Sequence, residues 1–435
     1  MYTSKSKWIR LGLVLAILVV TVAVIPFVNI KHVKAQAPSN VGIVCNNGTT
    51  FNLEAKTGTI QLSDGNTMFM WGYSRSGHAF QYPGPVLCVN QGDTVTINLT
   101  NNLATDTSII FPGQENVNAG GAPAQPKFDS SGALVSLTNI AAASGGSVTY
   151  SFVARNPGTY IYESGTDPKK QVGMGLAGIL IVRPSAVPPG GVSANPAEYA
   201  YNRVDSQFTP NEEFLVFLTE IDPILHQQIE RGKVFNMNNY RPRYWLLNGR
   251  GFPDTIADNF ASWLPAQPYG ALALIEPYDP SNHPYPALVR YVNVGTEDFP
   301  FHPHGNNGLV IGRDGHALEG SAGEDLSMEK FAINIGPGQT WDVLSKWYDA
   351  EGYSPTNEVP VTIPDIANQK IGMFYSGSPY LGVTGPLPPG VSTLNQCGEY
   401  YIISHNHALY QLDAWGMTMA GPITYLRINP PGGCP

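Results

Sequence analysis

Residues 82–99 read YPGPVLCVNQGDTVTINL. A Pro-Gly turn, a short apolar run, a Gly92-Asp93 turn and an alternating run ending at Leu99 follow one another without a gap. In the last run, Val95, Ile97 and Leu99 alternate with threonine and asparagine, which is the period of a half-buried β-strand. Gly and Pro punctuate it at the places where a chain reverses. The same grammar recurs on both sides. Residues 147–153 alternate, Asn156-Pro157-Gly158 turns, and residues 159–162 and 178–182 supply two more strands. Residues 187–196 are rich in Pro, Gly, Ala and Ser and read as a linker. Beyond it, strands are expected at residues 213–219, 244–247, 288–294, 340–344, 399–404 and 423–428. The segment from Pro223 to Arg231 is the convincing helix. With 46 Gly, 37 Pro and only 13% charged residues, helical bundles and coiled coils are excluded, while 43% apolar residues supply a core. The expected fold is all-β: two Greek-key β-sandwich domains, at 36–186 and 212–435, joined by a linker at 187–211.

The first 35 residues differ from the rest. Lys5, Lys7 and Arg10 precede an apolar run from Leu11 to Val28, and small residues follow near Ala35 and Ala37. This is the layout of a secretory signal, with an uncleaved N-terminal membrane anchor as the alternative. Either reading places the protein outside the cytoplasm, in the periplasm, the medium or at the cell surface. The formal charge is −9, and the N-terminal segment carries no acid, so the remainder is more acidic still. No dense Lys/Arg run occurs outside the N-terminus, which argues against nucleic acid as a partner. Export permits disulfides. Cys45, Cys88, Cys397 and Cys434 allow three pairings, and their positions suggest Cys45–Cys88 and Cys397–Cys434. Neither pair has the Cys-x-x-Cys spacing of a zinc knuckle or redox site.

Four of the nine histidines form two His-x-His pairs, His302/His304 and His405/His407. On a strand, residues i and i+2 point to one face. Each pair therefore presents two imidazoles to one side, a donor set that suits Cu, Zn, Fe or Ni. The remaining histidines are isolated in sequence.

The chain resembles the multicopper oxidases and their cupredoxin domains. The resemblance covers nearly all of the sequence after the N-terminal segment. It is carried by FMWGY at 69–73, YPGP at 82–85 with Gly92-Asp93, GTYIY at 158–162, GLAGILIV at 175–182, LNGRGFPD at 247–254, FHPHG at 301–305 and SHNH at 404–407 with Gly416-Met417. Two units are similar in plan to small laccases and nitrite reductases. The resemblance implies copper at the histidines, with His302 in the type 2 position and His304, His405 and His407 in type 3 positions.

The departures from the family pattern are as informative. Of the type 1 copper ligands that the family places in its last domain, the first histidine corresponds to Phe299, the cysteine to Asn406 and the second histidine to Gln411. Met417 alone remains, at the axial position. In the first domain, residues 110–114 and 162–165 lack the family's histidines, and Met174 resembles a leftover axial ligand. Glu163 stands where the family has a histidine of the trinuclear cluster, and a carboxylate there is an additional candidate ligand. A type 1 site needs a thiolate. Laccase-type reduction of O2 is therefore not expected. The expected function is binding of copper, or of zinc as its competitor, at a residual four-histidine site. A metal-free structural or surface-assembly protein on a cupredoxin scaffold is the alternative. The expected partner is a second copy of the chain, or a related cupredoxin chain that supplies the missing half of the cluster.

Overall fold

The computed structural model describes residues 40–348, 359–362, 392–395 and 400–429. The N-terminal segment, Cys397 and Cys434 lie outside the described residues. The chain is all-β, with cupredoxin-like sandwiches.

Strands between residues 46 and 183 form a two-stranded ribbon, Lys127–Phe128 with Leu134–Ser136, and two main sheets. One runs Asn46–Asn47, Leu87–Asn90, Ala177–Arg183, Gly158–Glu163. The other runs Thr67–Arg75, Thr50–Gln61, Thr94–Asn101, Gly146–Val153, followed by the short strands Asn118–Ala119 and Ala122–Pro123. Thr94–Asn101 buries every second residue, so Val95, Ile97 and Leu99 meet Leu87, Val89 and Leu180 of the facing sheet. The disulfide Cys45–Cys88 ties the chain ahead of the first strand to Leu87–Asn90.

Strands between residues 213 and 428 form two larger sheets. The first runs Tyr244–Leu247, Glu213–Ile221, Ala287–Asn293, Thr340–Ser345, Gly308–Arg313, His316–Ala317. The second runs Ala273–Ile275, Ile423–Ile428, Tyr400–Asn406, Phe299–Pro303, Ile333–Ile335. Val216, Leu218, Phe299, Phe301 and Ile335 pack between them. The helix Pro223–Glu230 forms as the sequence predicts. Proline occupies its first turn, and Asp222 caps it by accepting from the backbone N–H groups of Ile224 and Leu225.

Why Glu213–Ile221 is buried at every position follows from its two neighbours. Val216 and Leu218 face the core of their own sandwich. Leu215, Phe217 and Ile221 face the other way, against Ile161, Ile179 and Ile181. The uninterrupted apolar runs at 178–182 and 214–218 are thus the two sides of one shared core. Each fully buried side chain of this kind contributes about 1.5–3 kcal/mol. Beside it lies a buried polar cluster. Arg290 donates to Glu213 (2.6 Å), Thr159 (2.9 Å) and Asp342 (3.3 Å), and Tyr201 donates to Asp342 (2.6 Å). His226 adds a further tie, its ring nitrogens lying 2.6 Å from the Phe69 carbonyl and 3.0 Å from that of Gly173.

Candidate metal centre

The Phe299–Pro303 and Tyr400–Asn406 strands are antiparallel neighbours, and His302 is the direct cross-strand partner of His405. Directly opposed residues project to the same face. His304 and His407 follow just past the strand ends, each held by a backbone bond to the neighbouring strand: His304 N to Ile403 O (3.0 Å) and His407 N to Pro300 O (2.7 Å). The two pairs therefore come together as one group. Ring centroids lie 4.5 Å apart for His302–His304, 5.1 Å for His304–His405, 5.4 Å for His302–His407, 5.5 Å for His405–His407 and 5.9 Å for His302–His405.

Backbone carbonyls orient two of the rings. His302 Nδ1 lies 2.6 Å from Phe331 O, and His405 Nδ1 lies 2.8 Å from Asn406 O. A carbonyl accepts only, so Nδ1 carries a proton in both rings. His405 Nε2 lies 3.0 Å from His304 Nε2. Among the described residues, no three His, Cys, Asp or Glu side chains already converge on one ion-sized point; this contacting pair is the nucleus of the group. Burial, reinforced by the neighbouring rings, lowers the His304 pKa to about 4. Burial also lowers that of His405, against the opposing pull of the Asn406 carbonyl. Both rings are neutral at pH 7. Gly305 makes the approach feasible. Its φ is +82°, and a Cβ there would lie 2.6 Å from the Trp347 ring.

The residues at the type 1 positions are engaged with one another. Phe299 is fully buried in the apolar core. Asn406 and Gln411 are also fully buried, and the Asn406 amide donates to Gln411 Oε1. Gln411 Nε2 donates to Glu297 (2.7 Å), which also accepts from Trp245 Nε1 (2.8 Å). Asn406 Oδ1 is buried without a partner. Met417 lies in the tight turn after Ala414 and is 37% exposed, whereas Met174 is fully buried. Both described cysteines are consumed by their disulfide.

Glu163 ends the Gly158–Glu163 strand and bridges to Ile110. Burial raises its pKa to about 7. Among the described residues, no hydrogen bond or ion pair joins it to the four histidines. Sequence reasoning missed Phe331, which acts through its backbone carbonyl and leaves no side-chain signal. It also missed Glu297 and Trp245, which reach Gln411 only through folding.

A histidine-rich edge on paired β-sandwiches defines a cupredoxin-fold protein with a candidate metal centre. Residues 54–187 match the sequence profile described as multicopper oxidase. The laccase abr2 of Aspergillus fumigatus is 31% identical over 175 residues, which is 39% of this chain and 27% of that protein. Among solved structures, the multicopper oxidase mgLAC superposes with a TM-score of 0.56 at 19% identity, covering 87% of this chain and 86% of that one. The blue copper oxidase of Nitrosomonas europaea superposes with a TM-score of 0.54 at 17% identity, covering 88% and 86%. At these identities the structural likeness concerns the fold. The sequence match thus assigns a multicopper oxidase domain to residues 54–187, and the structural likeness extends the same fold over most of the chain. Its matched stretches span between 16% and 41% of the curated relatives' own lengths.

Proposed function

We propose that this chain is an exported, two-domain member of the multicopper oxidase family that binds copper, in competition with zinc, at His302, His304, His405 and His407. The observation that carries this reading is the 3.0 Å approach of His304 Nε2 and His405 Nε2, with the other two imidazoles packed around them. Two nitrogens at that separation suit one ion held at about 2.0–2.1 Å from each. The donors are all imidazole, which accommodates copper and zinc alike. Carbonyl contacts at His302 and His405 supply the outer support that ligating histidines require. When bound, the metal supplies Lewis acidity and, if copper, one-electron redox capacity. The chain's own residues hold and orient the rings, and the Trp347 ring backs the turn at Gly305.

Laccase-type turnover is not part of this proposal. Phe299, Asn406 and Gln411 carry no thiolate or imidazole at the type 1 positions, and the Asn406–Gln411–Glu297 hydrogen bonds occupy that space. The domains are taken as 36–186 and 212–435. Export rests on the N-terminal 35 residues. Among the described residues no helix is long and apolar enough to cross a membrane. Glu163 joins the site only if a second copy, or a related cupredoxin chain, brings its first domain over the histidines.

Metal content per chain, measured by elemental mass spectrometry on protein from its native source without added metal, tests the proposal. Stoichiometric copper, lost in a His302→Ala/His405→Ala variant, is the expected result. Stoichiometric zinc reassigns the site as structural. Absence of metal, with no uptake after copper loading, overturns metal binding and leaves the scaffold reading.

A further inference from the structure

Away from the histidines, a cleft of about 610 Å³ opens beside the helix Pro223–Glu230, with Phe235, Asn236, Asn239, Arg241, Arg243 and Trp415 in its wall. Its volume lies within the range of ligand pockets. Residues 231–243, RGKVFNMNNYRPR, carry four cations and no acid, in a chain with 33 acids against 24 Lys and Arg. The cations are dispersed enough to escape notice as a run, and folding sets two of them in one wall. Arg241 and Arg243 are exposed, and neither guanidinium meets a carboxylate among the described residues. Arg241 Nη1 donates to Tyr240 O (2.6 Å), and Arg243 Nη1 reaches Pro242 O at 3.4 Å. Most of their donors therefore face solvent.

Asp222 is the one acid in the wall, and it is engaged elsewhere. It is buried, and its oxygens accept from the backbone N–H groups of Ile224, Leu225 and Arg241. Beside Arg243, Trp415 is 54% exposed. Its backbone N–H bonds to Arg243 O (2.8 Å), and its ring stands edge-on to Tyr244 at 6.0 Å. The backbone thus presents an open indole face beside a free guanidinium fork.

We propose that this cleft binds an oligosaccharide carrying carboxylate or sulfate groups. A planar guanidinium accepts such groups in a bidentate pair of hydrogen bonds. The indole offers an apolar face for a sugar ring, and the amides of Asn236 and Asn239 offer partners for hydroxyls. The ligand is a chain rather than a single small acid, because a cleft of about 610 Å³ is larger than one small acid fills.

The full exported chain is titrated with an oligogalacturonate, followed by calorimetry and tryptophan fluorescence. Neutral malto-oligosaccharide, benzoate and inorganic sulfate serve as comparisons. The oligogalacturonate is expected to bind saturably and to weaken with added salt. Arg241→Ala/Arg243→Ala should weaken it roughly tenfold or more, because charge-assisted hydrogen bonds are lost. Arg241→Lys/Arg243→Lys should retain part of the affinity. Trp415→Asn removes the ring while tolerating the positive φ of 43° at that position, and should also weaken binding. Equal binding of the neutral oligomer, equal binding of benzoate or sulfate, or no effect of the arginine variants would overturn the proposal. So would the absence of saturable binding. Metal content and thermal unfolding of the variants should match the parent chain, which separates failure here from failure of the metal reading.

Discussion

Replacing Glu220 by Gln should flatten the dependence of stability on pH. Glu220 is 4% exposed. One carboxyl oxygen accepts from Thr296 N (2.5 Å) and Thr296 Oγ1 (2.7 Å), while the other is buried without a partner. Burial raises its pKa from 4.5 to about 7. The Thr296 bonds oppose the shift, and the Glu297 charge adds to it. The sign follows directly. Between pH 4.5 and 7 the folded state holds a proton that the unfolded chain has released. Stability from this group is therefore complete below 4.5, falls as pH rises, and levels off above about 7. From about pH 5 to about pH 8 the loss amounts to roughly 2–3 kcal/mol, at 1.36 kcal/mol per pK unit. Glutamine keeps an oxygen for Thr296 and cannot ionise. Urea unfolding of parent and variant at both pH values measures the difference. The parent should lose roughly 2–3 kcal/mol more than the variant. An equal loss in both chains would refute the assignment of a buried neutral carboxyl.

Three further outcomes follow from the packing. Cys45 and Cys88 are 43 residues apart, so a Cys45→Ser/Cys88→Ser chain should lose up to about 4 kcal/mol of stability through loop entropy, read from the urea midpoint. Arg290→Ala leaves Asp342 buried without its cation and Glu213 with Arg183 alone, and should cost about 3–5 kcal/mol in the same assay. Gly305→Ala sets a Cβ against Trp347 at a positive φ, with a backbone cost of about 1–2 kcal/mol before the clash is counted. Because the change displaces His304, copper uptake should fall more than stability does, as checked by metal analysis alongside thermal unfolding.

Much of the architecture is legible without coordinates. The alternation at 94–101 and 147–153 could bury only one face, and the structure buries that face. The apolar runs at 178–182 and 214–218 carry no such phase, and their second faces found each other across the shared core. The motif at 247–254 had an internal explanation: Asn248 and Gly249 turn at positive φ, and Arg250 is buried donating to the carbonyls of Gln267 and Ala257. The absence of a dense basic run did not imply the absence of a basic wall at Arg241 and Arg243.

Local pattern alone marked many of the strands, though not Thr50–Gln61 or Gly308–Arg313, and showed that each His-x-His pair shares a face, because strand periodicity is a property of consecutive residues. Whether the two pairs meet depended on register. Placing His302 opposite His405 joins residues more than a hundred positions apart, and no local rule carries that information. The same holds for Asn406, Gln411, Glu297 and Trp245, which form one hydrogen-bonded group drawn from four segments. Side-chain chemistry is written residue by residue, but a site is a set of distances. Those distances are decided only when long-range sheet pairing and the burial of both faces of Glu213–Ile221 bring the segments together.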